Sequence, residues 1–128
     1  MHELTTAVRA VELAIAGTSQ PTSWPALLHH RLNGLRGAYI GYLQHSMGGT
    51  SAAVEDNPWL SARLLVLRRD QARVADEIDR LIDACTPSVD VDSLRHQILA
   101  LLARVARTRQ REVDLLYKSV DLELGGEQ

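Results

Sequence analysis

Apolar residues recur along this chain at steps of three and four, the spacing that lines one side of an α-helix. Leu4, Val8, Val11 and Ile15 form a first stripe, and Leu28, Leu32, Leu35, Tyr39 and Tyr42 a second. The third runs Leu60, Leu64, Leu67, Gln71, Val74, Ile78, Leu81, Cys85, and the fourth Leu94, Ile98, Leu101, Val105, Thr108, Glu112, then Leu115 or Leu116 and Ser119 or Val120. Punctuation separates them. Gly17 through Pro21 close the first, Gly48-Gly49 the second, Thr86-Pro87 the third and Gly125-Gly126 the fourth. Ser23 with Pro25, Asn57 with Pro58, and Asp90 or Asp92 stand where helices start. The pattern predicts helices over 2–17, 24–47, 58–85 and 91–124, with a polar loop from Gly48 to Asn57. No alternation of the β type is long enough to make a strand. Short connections between long amphipathic helices favour antiparallel neighbours, so the expected fold is an all-α, up-down-up-down four-helix bundle in one domain, 1–128.

The expected helices are unequal. At 1.5 Å per residue the first spans ~21 Å and the fourth ~45 Å. Part of the long helix therefore lacks cover from the first. Leu64-Leu65-Val66-Leu67 and the run Ile98 to Ala103 are also apolar on more than one side. Helices with two apolar faces need a second partner, and a homodimer is the simplest supply. Trp24 and Trp59 each stand in the first turn of a helix, where each is expected to plug an end of the core.

Composition refines this picture. Hydrophobic residues make up 45% and aromatics 4%, with no Phe, so the core must be built mostly from Leu, Val, Ile and Ala. A net charge of −2 argues against bulk attraction to nucleic acid. The single cysteine, Cys85, excludes an internal disulfide and fits a reducing compartment. The acidic start Met1-His2-Glu3 is followed by no secretory h-region, and the apolar run Ile98 to Ala103 is too short for a bilayer. A cytoplasmic protein without a membrane segment is the expectation.

Three groups of residues interrupt the apolar logic. Gln71, Thr108 and Glu112 occupy core positions. With Tyr39 and Tyr42 they form either an internal hydrogen-bond network that sets helix register or a small polar ligand pocket. Counting outward from the turns puts Gln71 near Arg104–Val105 and Gly34–Leu35, and Glu112 near Leu64 and Tyr42. Gly34, Gly37 and Gly41 make a strip free of side chains on the second helix, where close packing of another helix is expected, or a cavity. Arg68, Arg69 and Arg73 on the third helix and Arg104, Arg107, Arg109 and Arg111 on the fourth form a band. It is either a salt-bridged, solvated face or an anion- or partner-binding surface, for which Arg69, Arg73, Arg104, Arg107 and Arg111 are the candidates. Nucleic acid is disfavoured as the partner, since nearby carboxylates are many and stacking aromatics are lacking.

Catalytic and metal chemistry find little here. Cys85 lies on an apolar stripe, where a thiol behaves as a small hydrophobe. "GGTS" has no lysine for a phosphate loop. A di-metal bundle needs His or Glu pairs three or four apart pointing inward at one level, and His2, His29, His30, His45 and His96 form no H-x-x-x-E, H-x-x-x-H or E-x-x-H pair. No catalytic residue, no metal ligand and no cofactor is expected.

Three stretches, "LRGAYIGYLQHSMGG", "LLVLRRDQARVADEIDRL" and "ARTRQREVDLLY", carry a resemblance. From Trp24 to Leu124 the chain resembles the hemerythrin-like, HHE-type four-helix bundles, and its end, "DLLYKSVDLELGGE", is similar to the tail of small actinobacterial bundle proteins. The resemblance implies a bundle fold. Its ligand pattern is mostly missing: His45 remains but Gly49 stands where the family has Glu, Asp70-Gln71 replaces its Glu-His pair, and in the fourth helix only Glu112 matches. Iron chemistry is therefore not implied. The expected role is a non-enzymatic interaction or regulatory module with a protein partner. The alternatives are a ligand- or metal-binding sensor of hemerythrin-like type, using the core polar residues and His45, and an anion binder using the arginines.

Overall fold

The computed structural model describes residues 2–17 and 23–126, with side chains over 3–17 and 23–120. Four α-helices account for almost all of this: α1 His2–Ala16, α2 Trp24–Asp56, α3 Ser61–Ala84 and α4 Val91–Gly126. A single 3-10 turn, Pro58–Leu60, joins α2 to α3, and there are no strands among the described residues. The fold is all-helical, consistent with a helical bundle. Most of the predicted closing segment of the first helix, Thr18 to Pro21, lies outside the described residues.

The largest departure from expectation is the length of α2. Gly48 and Gly49 do not stop it; the helix runs on to Asp56, and no described glycine takes the left-handed conformation of a glycine cap. Two interior glycines cost roughly 2 kcal/mol against alanine, but the stripe beyond them is buried. Ser46 and Thr50 continue the line of Tyr39 and Tyr42 into the core, and Thr50 Oγ1 donates to the Ser46 carbonyl at 2.7 Å. Packing along the stripe offsets the local propensity. The helix ends at Asn57, whose N–H reaches back to Ala53 and Val54, because the following Pro58 has no N–H to continue the ladder.

Asn57 is also not the side-chain N-cap the sequence predicts. Its amide instead donates to the Ala53 carbonyl and to Ser119 Oγ of α4, at 3.1 and 3.0 Å. Ser23 precedes α2 but its side chain makes no capping bond. Asp90 does cap α4, accepting from the N–H groups of Asp92 and Ser93.

Bonds that cross between helices set the register. Between α2 and α3, Arg36 meets Asp79, Ser46 meets Gln71 and Ser51 meets Arg68. Between α3 and α4, Asp70 meets Arg111. Between α1 and α4, Arg95 donates to the Ile15 carbonyl and Arg109 to Thr5 Oγ1. In the α2–α3 and α1–α4 pairs, numbers fall along one helix as they rise along the other.

The main apolar core draws on all four helices, from Leu4 and Val11 through Leu28, Leu35, Val74, Ile78 and Leu94 to Val105. Trp24 seals its end, donating from Nε1 to the Ala14 carbonyl at 2.8 Å under the Arg95 guanidinium, 5.2 Å from the ring centroid. Trp59 does not seal the other end. It is 57% exposed, and its neighbour Leu60 is buried in its place. In the 3-10 turn the two residues point to different sides, and only one faces inward.

Candidate functional site

The core polar residues do come together. Tyr39, Tyr42, Gln71, Thr108 and Glu112 are all buried; Tyr39, Tyr42, Gln71 and Glu112 meet in one layer with Ser46, and Thr108 lies one turn from Glu112 on α4. Gln71 Nε2 donates to Ser46 Oγ at 3.0 Å, and Tyr39 Oη donates to the Gln71 carbonyl at 3.3 Å. Thr108 Oγ1 satisfies itself on the Arg104 carbonyl one turn back, at 2.9 Å. The Tyr39 and Tyr42 rings tilt against each other with centroids 5.5 Å apart. Burial first, and then the adjacent Glu112, pushes the Tyr42 hydroxyl up to about 12. Burial raises Tyr39 as well, with Tyr42 and Glu112 adding to the effect. Tyr42 Oη lies near enough to Glu112, Gln71 and Ser46 for each to bias its titration, yet it makes no hydrogen bond of proper geometry.

This layer sits where the bundle changes character. Thr5, near the start of α1, lies against Arg109. Beyond that level α2, α3 and α4 continue without α1. Polar groups are least costly where the surroundings thin from four helices to three, and Glu112 keeps 8% of its surface exposed there. Sequence reasoning found Gln71, Thr108 and Glu112 as breaks in apolar stripes, and Tyr39 and Tyr42 as polar-tipped members of one. It missed Ser46, whose only signal was its place one step beyond Tyr42. It also set Gln71 against Gly34–Leu35 and Arg104–Val105. The true neighbours of Gln71 on α2, Ser46 and Tyr39, lie farther along that helix, since α2 runs nine residues past Met47 and brings the turn to Asn57–Leu60.

The glycine strip packs against nothing closely. A Cβ built on Gly34, Gly37 or Gly41 meets no atom within 4 Å, which overturns the expected tight helix contact. Gly34 instead borders an open groove of about 650 Å³ between α1 and α2, lined largely by small side chains such as Thr6, Ala7 and Ala10. His45 is exposed on α2, and no three His, Cys, Asp or Glu side chains among the described residues are grouped to hold a metal ion. Cys85 donates to the Leu81 carbonyl, and burial raises its thiol.

The arginines divide. Arg73, Arg104, Arg107 and Arg111 line a polar groove of about 240 Å³ between α3 and α4, with Asp70 and Thr108. Arg69 is exposed and does not line it. Arg68 turns toward α2, donating to the Met47 carbonyl and Ser51 Oγ at 3.4 and 3.2 Å, while its buried Nη1 has no partner.

The long helices also leave an apolar face. On α4, Leu102, Ala106, Arg109, Val113, Leu116 and Val120 recur at helical spacing on one side. Leu102 packs against the core and Arg109 reaches α1, but Val113 and Val120 are more than half exposed, and nearby Tyr117 is 71% exposed. On α2, Gly34 and Ala38 border the α1 groove, and Gly41, His45, Gly49 and Ala52 extend the same side at helical spacing. No helix among the described residues is long and apolar enough to cross a membrane. Comparison with known proteins finds no matching family model, no matching curated protein and no matching solved structure.

Proposed function

We propose that this protein is a non-enzymatic, cytoplasmic interaction module built as an up-down-up-down bundle, and that it works as a homodimer. The crossing bonds support that topology, since partners fall in number along one helix as they rise along the next. It is also the arrangement implied by the hemerythrin-like resemblance.

One observation carries the interaction reading. The side of α4 that packs on the core at Leu102 and meets α1 at Arg109 runs on through apolar Val113, Leu116 and Val120. The facing side of α2 carries Gly41, Gly49 and Ala52, which allow a helix to approach. A second copy is the occupant we infer, because this face continues an intramolecular helix interface of the same chemistry. A two-fold axis would set Val113 and Val120 of one copy against the same residues of the other.

Sedimentation velocity tests this across a range of protein concentration. The wild-type chain is expected to sediment as a dimer in the micromolar range, and Val113→Glu with Val120→Glu as a folded monomer by circular dichroism. Leu65→Glu, on the exposed far side of α3, should leave the dimer intact. A wild-type monomer at high concentration, or a dimer insensitive to the paired substitution, would refute the proposal.

A further inference from the structure

Most arginines with a described ion-pair partner lie outside the α3–α4 groove. Arg36 pairs with Asp79 at 2.5 Å, Arg80 with Glu77 at 2.5 Å and Arg95 with Asp92 at 3.5 Å. In the groove this pattern stops. Four guanidiniums, of Arg73, Arg104, Arg107 and Arg111, surround one carboxylate, Asp70, which is engaged by Arg111. Another carboxylate of α3, Glu77, is held below the usual range chiefly by its bond from Arg80, so it offers Arg104 only a share of its charge. Arg73 and Arg107 have no ion pair among the described residues. Like charges crowded around one concavity repel each other, and a bound anion relieves that repulsion.

We propose that this groove binds a small, multiply charged phosphate compound, with two linked phosphate groups as the best match. Arg104, Arg107 and Arg111 occupy successive turns of one side of α4, a span of ~10 Å at 1.5 Å per residue, and Arg73 faces them from α3. That span takes two linked phosphates, and the planar guanidinium fork suits their oxygens. A long polyanion fits poorly. Glu77 stands on the α3 side near Arg104, and Asp114 neighbours Arg111 and Arg63, so carboxylates interrupt the run of arginines along the helix axis. Asp70 competes with the ligand for Arg111.

Isothermal titration of the full chain with inorganic pyrophosphate tests the site. Saturable, one-to-one binding is expected, weakened about tenfold or more by Arg107→Glu, the loss of a charge-assisted contact. Arg69→Glu changes charge equally but lies outside the groove, and should alter affinity by less than about threefold. Asp70→Asn frees Arg111 and should tighten binding. These positions are exposed or half-buried, so each variant is expected to keep the wild-type circular dichroism spectrum. The proposal is overturned by absence of saturable binding, by equal losses in Arg69→Glu and Arg107→Glu, or by duplex DNA outcompeting pyrophosphate.

Discussion

Replacing Gly37 by alanine should make this protein more stable. Gly37 lies inside the 33-residue helix α2, far from either end. An interior glycine costs about 1 kcal/mol against alanine, because the unfolded chain loses more freedom when it is ordered. That gain is often cancelled by crowding. Here a Cβ at position 37 meets no atom within 4 Å, and no described glycine has a positive φ, so neither clash nor backbone strain opposes it. Gly48 meets the same conditions. Eleven residues along the helix, about 16 Å away, it is distant enough for the two gains to add to roughly 2 kcal/mol. For a domain of this size each kilocalorie raises the melting temperature by roughly 3–6 °C. Urea unfolding followed by helical circular dichroism and by the fluorescence of buried Trp24 measures the change directly. A neutral or destabilising Gly37→Ala would mean that another molecule packs on this side of α2 or that the helix is locally distorted, and the reasoning would fall. Gly41→Ala makes a useful contrast: it should stabilise the monomer similarly but weaken self-association, since the proposed dimer brings a helix onto that side.

The two tryptophans should respond unequally. Trp24→Phe loses the bond to the Ala14 carbonyl and weakens the stacking of Arg95, a cost of about 1–3 kcal/mol, whereas Trp59→Ala should stay within about 0.5 kcal/mol in the monomer; denaturation midpoints decide. The tyrosine layer makes stability fall at alkaline pH. Tyr42 moves from 10.0 to about 12 on folding, so its contribution is intact below pH 10 and is lost as pH rises through about 12. Tyr39 shifts in the same direction. Tyrosinate absorbance should therefore lag behind that of free tyrosine, and Tyr42→Phe should remove part of the lag. Because the Tyr42 hydroxyl is buried without a bond, that substitution should be neutral or stabilising by up to about 1 kcal/mol; a clear loss would show that the hydroxyl does hold a partner.

By itself the sequence determined the helices and their inward sides. A stripe such as Leu28, Leu32, Leu35, Tyr39 depends only on the 3.6-residue turn, a local property, and every member of it is buried. It also exposed Gln71, Thr108 and Glu112 as polar groups inside, because each breaks a run that is otherwise leucine-like. Where α2 ends was not a local matter. Gly48 and Gly49 weigh against a helix by about a kilocalorie each, yet the helix continues with Ser46 and Thr50 buried along its inward stripe and Ser46 bonded to α3. That choice moved the turn to Asn57–Leu60, and with it the register of every residue facing α2. It joined Gln71 to Ser46 and Tyr39, sent Asn57 to Ser119, and left Trp59 outside while Leu60 turned in. The arginine band likewise divided into groove and solvent only once α3 and α4 were set side by side, because the angle at which a long side chain faces its neighbour belongs to the pair of helices rather than to either one.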